Sequence, residues 1–369
     1  MEPGRSSARF ETALDVLEAH RRLGVPRGFC LVPFTSLILE PDGKVGSCRH
    51  KGCDFPVGNI LESSLDEIWN GEFIREWRRE FLTGDVKICD TEVRHRACHL
   101  CPDYNALLGN ISLDEWQQRR PLRLGLNFNG QCNLECQMCH VWEKPNGLYD
   151  RIGFWEKLPE YCRDLREVEL LSGEPFIQKD TYRLIDLLSE INPACLWTVT
   201  TNGHWKLTDT VKRSLDKIRF KNLIVSIDSV VPETYARIRK GGSLDVVLAN
   251  LDRLVEYERE RVNRGLGALG IRINFLYQAD NRNELKSSHE FEKATGLPVF
   301  RTFCYQPEDR SILSLSELER ETLLERYESE LSFDEISHSM RVILPILDSL
   351  PPLARGHHLE VLRSIKRSA

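Results

Sequence analysis

The sequence predicts an α/β fold, in which a parallel sheet is partly closed into a six-stranded barrel, preceded by a small cysteine-rich domain and followed by a helical tail. Three observations lead to this prediction. Six short apolar segments alternate with helical segments after about residue 122, nine of the twelve cysteines fall before residue 140, and a capped helical pattern follows residue 307. The chain of 369 residues is long enough to bury a large core.

The alternation defines the predicted barrel. The predicted strands are "LRLGLNF", "VELLSG", "CLWTVTTNG", "LIVSIDS", "IRINFLYQ" and "LPVFRTFCYQ". The predicted helices include "FWEKLPEYCRDL", "DTYRLIDLLSEI", "LTDTVKRSLDKI" and "SLDVVLANLDRLVEYERERVN". Such alternation favours parallel strands joined by right-handed crossovers, and functional sites of such folds lie at the carboxyl ends of the strands.

Four regions follow from the changes in pattern. Residues 1–28 contain a predicted helix at about 8–24, residues 29–120 form the cysteine-rich domain, residues 121–306 form the partial barrel, and residues 307–369 form a helical extension. The segment "SLSELERETLLERYESEL" predicts that a capping box from Ser314 to Glu317 opens the helical extension.

Composition excludes several classes of protein. Lys plus Arg total 50 and Asp plus Glu total 56, so the net charge is −6, and no basic stripe predicts a nucleic-acid partner. No apolar run approaches 18 residues, and the N-terminus lacks the apolar region of a signal peptide, so we expect a cytoplasmic protein without a membrane span.

The cysteines therefore call for an explanation other than disulfides, since a reducing cytosol rarely sustains them. Cys162, Cys195 and Cys304 are scattered and are expected to be small buried side chains. The earlier ones have the spacing of metal ligands, and they are Cys30, Cys48, Cys53, Cys89, Cys98, Cys101, Cys132, Cys136 and Cys139.

The segment "NGQCNLECQMCHVW" places Cys132, Cys136 and Cys139 in the spacing C-x3-C-x2-C, directly after the first predicted barrel strand. Three thiolates can hold three irons of a [4Fe-4S] cluster and leave the fourth iron open. The alternatives are three incidental cysteines or a zinc site completed by His140.

This loop resembles that of the radical S-adenosylmethionine (SAM) superfamily. The resemblance implies that the amino and carboxylate groups of SAM chelate the open iron and that an electron from the cluster cleaves SAM to a 5′-deoxyadenosyl radical. The radical would then remove a hydrogen atom from the substrate. Later segments resemble the family's SAM-binding motifs in the same order: "LSGEP", "TTNG" and "SIDS".

The resemblance implies a set of SAM contacts. Glu174 and its neighbours would lie against the SAM amino group, although Ser172 stands where the family has a glycine, and Met138 would pack against adenine. Arg237 would pair with the SAM carboxylate, with Arg239 as the rival. The complete set of predicted contacts is Met138, Ser172, Gly173, Glu174, Thr200, Asn202, Ser226, Asp228 and Arg237.

The cysteine-rich region contains a second pattern. Cys30, Gly43 and Cys48 follow C-x12-G-x4-C, with "PDG" as the turn of a hairpin, and Cys98-x2-Cys101 supplies a second ligand pair. The region resembles the SPASM and twitch auxiliary-cluster domains, which implies a second [4Fe-4S] cluster on these four cysteines. Its position before the barrel differs from the commoner order. A structural zinc ribbon is the alternative, and Cys53 and Cys89 remain unassigned.

An auxiliary cluster can accept an electron from a substrate radical. The resemblance therefore implies net oxidation, either dehydrogenation or cross-linking, of a small natural-product intermediate or a short peptide, with flavodoxin or ferredoxin as the electron donor. The first alternative is an epimerase in which Cys304 is catalytic and returns a hydrogen atom. The second is a non-catalytic protein that binds zinc or a cluster.

Overall fold

The computed structural model describes residues 11–49, 57–89 and 98–368. Cys53, which the sequence left unassigned, lies outside them. Strands occupy β1 (Ser36–Leu39), β2 (Lys44–Gly46), β3 (Gly58–Asn59), β4 (Arg123–Leu126), β5 (Glu135–Cys136), β6 (Glu167–Leu170), β7 (Leu196–Thr201), β8 (Arg219–Ser226), β9 (Arg239–Lys240), β10 (Ile271–Tyr277) and β11 (Val299–Phe303).

Helices connect and cover these strands. They are α1 (Ala13–Leu23), α2 (Val32–Thr35), α3 (Leu65–Trp69), α4 (Glu72–Thr83), α5 (Pro102–Asn105), α6 (Leu148–Arg151), α7 (Phe154–Cys162), α8 (Lys179–Ile191), α9 (Asp209–Leu215), α10 (Pro232–Ile238), α11 (Leu244–Asn263), α12 (Leu285–Thr295), α13 (Glu317–Glu330), α14 (Phe333–His338), α15 (Met340–Asp348) and α16 (Pro352–Ser368). Each of the six predicted barrel segments contains a strand. The predicted mixed α/β class with parallel strands and a helical C-terminal region is confirmed.

The chain divides into two compact units. Unit 1 comprises Met1–Gly130, Lys144–Ser172 and Gln178–Trp197, and unit 2 comprises Gln131–Glu143, Gly173–Ile177 and Thr198–Ala369. In unit 1 the strand order is β3-β2-β1-β4-β6. Strand β1 pairs antiparallel with β2 but parallel with β4, so the hairpin of the cysteine-rich region and the first barrel strand share one sheet.

The hairpin has the predicted turn. Gly43 adopts a φ of 87°, which only glycine accepts readily, between β1 and β2. The segment before β1 and helix α4 build a core that includes Phe29, Phe34, Trp77 and Phe81. Three cysteines pack against this core: Cys30, Cys48 and Cys89. The core therefore brings together thiols that are far apart in the sequence.

Unit 2 carries the remaining barrel strands in the order β7-β8-β10-β11, and β10 is parallel to both β8 and β11. Strand β10 alternates buried and half-buried residues along its whole length, as a strand with one face in the core does. Outside this sheet, β5 of the three-cysteine segment pairs antiparallel with β9, and Cys136 lies opposite Arg239.

The start of the C-terminal helix differs from the prediction. Ser316, and not Ser314, caps α13, because its hydroxyl accepts the backbone N–H of Glu319 while the Glu319 carboxylate accepts the N–H of Ser316. The predicted capping box from Ser314 to Glu317 is therefore wrong. Ser314 belongs instead to a short 3-10 turn, in which its hydroxyl donates to the carbonyl of Ser311. In the described part of the chain, no helix combines the length and apolar character needed to cross a membrane.

Candidate functional site

The three-cysteine loop (Gln131–Glu143) belongs to unit 2, and its three thiols influence one another electrostatically. Burial is the main cause that raises the pKa of the Cys136 thiol to about 11; Arg239 opposes the shift, and Asp228, Cys139 and Cys132 add to it. Burial likewise raises the pKa of Cys132, with Cys139 adding to the shift. Three half-buried thiols that influence each other electrostatically form a site suited to a metal cluster.

Two polar side chains lie against these sulfurs. The Asn202 Nδ2 atom lies 3.7 Å from the Sγ atom of Cys132, and the Arg239 guanidinium lies 3.8 Å from the Sγ atom of Cys136. Both side chains can donate hydrogen bonds to sulfur, and such donors are one of the means by which a protein adjusts a cluster. The sequence predicted Asn202 as a SAM contact, and it predicted Arg239 only as the alternative to Arg237 at the SAM carboxylate.

The loop is held in place by backbone and side-chain contacts within unit 2. The N–H of Gln137 donates to the carbonyl of Ile238, and the Gln137 side-chain amide donates to Asp280 at 2.6 Å. The Asn133 side chain donates to the carbonyl of His204 at 2.6 Å. Gln137, Asn133 and Asp280 were missed by sequence reasoning, because their partners lie 70 to 140 residues away and no local pattern marks them.

Glu174 is fully buried and organises the segment that resembles the family's glycine-rich motif. Its carboxylate accepts hydrogen bonds from the Thr201 hydroxyl at 2.8 Å and from the backbone N–H of Asn202 at 2.7 Å. Burial raises the pKa of Glu174 to about 7, against the hydrogen bonds, which lower it. Glu174 thus joins the end of β7 to the loop: its carboxylate binds the end of β7, and its backbone N–H donates to the carbonyl of Gln131 in the loop.

Strand alternation decides which threonine of "TTNG" faces Glu174. Thr201 is buried and donates to the carboxylate, whereas the predicted contact Thr200 is half-buried on the opposite face of β7. Gly203 follows with a φ of 73°, which allows the chain to turn sharply behind Asn202. Thr200 as a SAM contact stays a prediction.

The fourth-strand motif contains a buried ion pair. Asp228 is completely buried and its carboxylate lies 2.6 Å from the guanidinium of Arg239, which is also buried. Burial favours the neutral form of Arg239, but the neighbouring Asp228 carboxylate outweighs this and raises the pKa of Arg239. Ser226 is buried at the end of β8, opposite Asn274 of β10.

The other predicted contacts occupy varied surroundings. Arg237 is more than half exposed and pairs with Asp280 at 3.0 Å. Met138 is half-buried in the three-cysteine loop. Ser172 belongs to unit 1, where its hydroxyl donates to the carbonyl of Asn129 and its N–H to the Asn127 side chain. Cys304 is buried after β11, its thiol donates to the carbonyl of Gln306 at 3.2 Å, and burial raises its pKa to about 11.

The residues present fit an iron–sulfur cluster and a polar cofactor. In the described ranges, no three His, Cys, Asp or Glu side chains converge on a point where one metal ion would bind. Each of the three thiolates of the loop can bind a different iron of a cube. The Arg239 Nε and Tyr235 hydroxyl are buried without a hydrogen-bond partner in the described part, and a polar cofactor would satisfy such groups.

The auxiliary site lies in unit 1. Burial raises the pKa of Cys30, and Cys48, Cys98 and Cys89 each add to that rise. Burial also raises the pKa of Cys98 to about 11, again with Cys89 and Cys48 contributing. Cys89 is therefore one of four thiols in unit 1 that are linked by electrostatic effects on the pKa values of Cys30 and Cys98. Cys101 precedes helix α5, where its carbonyl accepts the backbone N–H and the side-chain amide of Asn105.

Comparison with known families agrees with these two sites. Residues 30–103 match the model of an iron–sulfur cluster-binding domain named SPASM, and residues 126–272 match the radical SAM superfamily. The first match favours a cluster over a zinc ribbon. Together they confirm the predicted cofactors, a [4Fe-4S] cluster with SAM and auxiliary iron–sulfur binding.

Curated relatives are more distant. A GTP 3′,8-cyclase of Nautilia profundicola is 23% identical over 222 residues, which cover 57% of this chain and 64% of the relative. A GTP 3′,8-cyclase of Peptoclostridium acidaminophilum is 30% identical over 139 residues, which cover 36% of this chain and 42% of the relative. The chain thus spans less than two thirds of the length of these relatives.

Solved structures give weak overall likeness. SuiB of Streptococcus suis bound to S-adenosylmethionine has a TM-score of 0.43 at 17% identity, covering 73% of this chain and 60% of SuiB. The native anSMEcpe with bound AdoMet and Cp18Cys peptide has a TM-score of 0.44 at 15% identity, covering 59% of this chain and 61% of that protein. On its two family matches, the chain carries a radical SAM superfamily domain with a SPASM iron–sulfur cluster-binding domain on its N-terminal side.

Proposed function

We propose that this chain is a radical SAM enzyme that removes a hydrogen atom from its substrate and completes a net two-electron oxidation. The observation that carries the proposal is the arrangement within unit 2: three thiols of one loop, with Asn202 and Arg239 at two of the sulfurs and the buried Glu174 joining the loop to the end of β7. When bound, the cluster and SAM supply a 5′-deoxyadenosyl radical.

The chain's residues hold and orient these groups. Cys132, Cys136 and Cys139 are the proposed ligands of the SAM cluster, and the loop that carries them is fixed by Gln137 and Asn133. Ser226 and Asn202 at the strand ends, with Met138 in the loop, are the proposed contacts of SAM. Arg237 is available at the surface for the SAM carboxylate, at the expense of its ion pair with Asp280.

The oxidative outcome rests on the second cysteine group. A substrate radical that loses one electron and one proton has been oxidised by two electrons in total, counting the hydrogen atom already removed. The electron would pass to the auxiliary cluster in unit 1, for which Cys30, Cys48, Cys98 and Cys101 are the predicted ligands and Cys89 a fifth candidate. The proton would pass to water or a neighbouring base. A flavodoxin or ferredoxin would supply the electron that cleaves SAM, and the reduced auxiliary cluster would return its electron to such a carrier, so that no net electron is consumed.

A small natural-product intermediate or a short peptide is the proposed substrate, and dehydrogenation or cross-linking the proposed reaction. The curated relatives named GTP 3′,8-cyclase add a purine nucleotide to the candidates, but they match this chain at low identity and over part of their length. Substrate trials should therefore include GTP beside peptides and amino sugars.

A second candidate reaction is epimerisation with Cys304 as hydrogen donor. One observation favours it: the Cys304 thiol is buried in unit 2 within electrostatic range of Asp228, which stands at the proposed SAM site. A Cys304→Ser variant that still inverts its substrate would exclude this role. Solvent deuterium incorporated into a product of otherwise unchanged composition would support it.

The decisive experiment is anaerobic reconstitution of the full chain with iron and sulfide. About four irons per chain would indicate one cluster, and about eight would indicate two. Reduction in the presence of SAM should release 5′-deoxyadenosine. The Cys136→Ala variant should lose this activity, and the Cys162→Ala variant, which removes a buried thiol outside both sites, should keep it. An intact cluster that releases no 5′-deoxyadenosine with any reductant would refute the enzymatic proposal.

The auxiliary cluster has its own test. A Cys98→Ala variant should still cleave SAM, because the three-cysteine loop is unchanged, but it should form no oxidised product. Full product formation by this variant would show that the auxiliary cluster is not the electron acceptor. The non-catalytic alternative predicts bound metal without SAM cleavage in every variant.

A further inference from the structure

Two buried side chains, Asp228 and Arg239, connect the fourth-strand motif to Cys136, a proposed cluster ligand. The Asp228 carboxylate lies 2.6 Å from one terminal nitrogen of Arg239, and the other terminal nitrogen lies 3.8 Å from the Sγ atom of Cys136. The strand pair β5–β9 places Cys136 directly opposite Arg239. The guanidinium therefore bridges a carboxylate and a thiol with its two ends.

Asp228 is held firmly in an unfavourable conformation. It is the non-glycine residue with positive φ in the described part of the chain, at 64°, a strained conformation that persists only when the surroundings impose it. The N–H of Leu276 donates to its second carboxylate oxygen at 2.8 Å, and the side chain of Asn281 donates to its carbonyl. These contacts fix the direction in which the carboxylate points.

One oxygen of this carboxylate forms the ion pair with Arg239, and the other accepts the N–H of Leu276. Arg239 in turn cannot swing away, because it is buried and paired. A planar guanidinium with two fixed ends suits this task, whereas a lysine ammonium is a single point charge that would satisfy one neighbour at a time.

We propose that Arg239 sets the reduction potential of the SAM cluster by donating a hydrogen bond to the sulfur of Cys136, and that Asp228 is the positioning residue that aims it. This inference rests on the proposed function, since it requires Cys136 to be a cluster ligand. It gives Asp228 a role beyond its predicted contact with SAM, and it gives Arg239 a role at the cluster sulfur besides the polar cofactor group that its Nε atom can bind.

The direction of the effect follows from charge. Reduction adds an electron to the cluster, and a cationic donor at a ligand sulfur stabilises that added charge. Arg239 therefore makes the cluster easier to reduce. Removing it should move the midpoint potential to a more negative value and lower the ratio of reduced to oxidised cluster at a fixed potential by about tenfold, which is about 59 mV for a one-electron couple.

The test is a redox titration of the reconstituted full chain, followed by electron paramagnetic resonance. The signal of the SAM cluster is identified as the one that changes on addition of SAM, and the auxiliary cluster serves as an internal reference. The Arg239→Gln variant should show the negative shift for the SAM cluster alone, and Arg239→Lys should recover part of it. Equal potentials in wild type and both variants would overturn the inference.

Two further variants distinguish the effect of the hydrogen bond on the cluster potential from the effect of a positive charge elsewhere in the protein. Arg253→Gln removes the same charge from an exposed position of α11 that belongs to neither proposed site, and it should leave the potential unchanged. The double variant Asp228→Asn with Arg239→Gln leaves the net charge unchanged and leaves no buried charge unpaired. If the double variant still shows the negative shift, the hydrogen bond from Arg239 to the Cys136 sulfur sets the potential. A wild-type potential in the double variant would refute that role.

Failure of the two proposals can be told apart. If the wild-type chain forms no cluster whose spectrum responds to SAM, the proposed function fails and the inference falls with it. If that cluster forms and responds, but its potential is the same with and without Arg239, only the inference fails.

Discussion

The side-chain amide of Asn202 lies 3.7 Å from the sulfur of Cys132 and 2.9 Å from the side-chain oxygen of Asn133, so one amide group contacts both a predicted ligand and the residue beside it. The amide oxygen of Asn202 also accepts the backbone N–H of His204 at 2.7 Å. Asn202 thereby links the end of β7 to the three-cysteine loop.

Replacement of Asn202 by Ala should loosen this link. The loop would lose two donated hydrogen bonds, each worth about 1 kcal/mol, and we expect the reconstituted variant to lose iron from the SAM cluster several times faster than wild type during incubation with a chelator. The exposed Asn263 at the end of α11 provides the control. An Asn263→Ala variant that loses iron as fast as Asn202→Ala would contradict the specific role.

The fourth ligand of the auxiliary cluster can be tested directly. Cys89 packs on the same core as Cys30 and Cys48, whereas Cys101 precedes α5. If Cys89 is a ligand, the Cys89→Ala variant should lose about four irons per chain after reconstitution, and Cys101→Ala should retain them. The opposite result would support the ligand pair Cys98 and Cys101 that the sequence predicts.

Gly203 should not tolerate a side chain. Its φ is 73°, and a Cβ atom would lie 2.6 Å from a methyl carbon of the buried Val247. We expect Gly203→Ala to lower the free energy of unfolding by about 2 to 4 kcal/mol through backbone strain and overpacking, as measured by urea denaturation.

Gly267 supplies the matched control for this change. It has a φ of 77°, but a Cβ atom there would meet no other atom within 4 Å. Gly267→Ala should therefore show the strain alone, at about 1 kcal/mol. Equal losses in the two variants would mean that contact with Val247 contributes nothing.

His289 should make the stability of unit 2 depend on pH. Its ring is buried and hydrogen-bonded to the Ser339 hydroxyl at 2.8 Å, and burial lowers its pKa to about 4, with Arg301 adding to the effect and Glu335 and Glu292 opposing it. In the unfolded chain the pKa returns to about 6.5.

The sign follows from proton uptake. Between pH 6.5 and 4 the unfolded chain binds a proton that the folded chain does not, so stability is lost as the pH falls, by about 3 kcal/mol in total at about 1.4 kcal/mol per pKa unit. The His289→Gln variant should show a flatter dependence in this window, and His357→Gln, at an exposed position, should match wild type. An unchanged slope in His289→Gln would show that other groups dominate.

Local sequence patterns predicted the strands, the cysteine motifs and the hairpin turn. Apolar alternation located the six strands, the three-cysteine spacing and the motif order indicated the radical SAM domain, and the C-x12-G-x4-C hairpin indicated the auxiliary domain. Each of these is encoded within a few neighbouring residues, and Gly43 adopts the positive φ that its turn predicts.

Tertiary structure decided what depends on residues far apart. Sequence order cannot show that Asp228 pairs with Arg239 beside Cys136. It also cannot show that Thr201, and not Thr200, faces Glu174. Nor can it show that Cys89 packs on the same core as Cys30. These relations depend on strand register and on which face of an element is buried. Both are fixed by packing between segments that are distant in the chain, because a shift of one residue along a strand reverses the face on which every side chain lies.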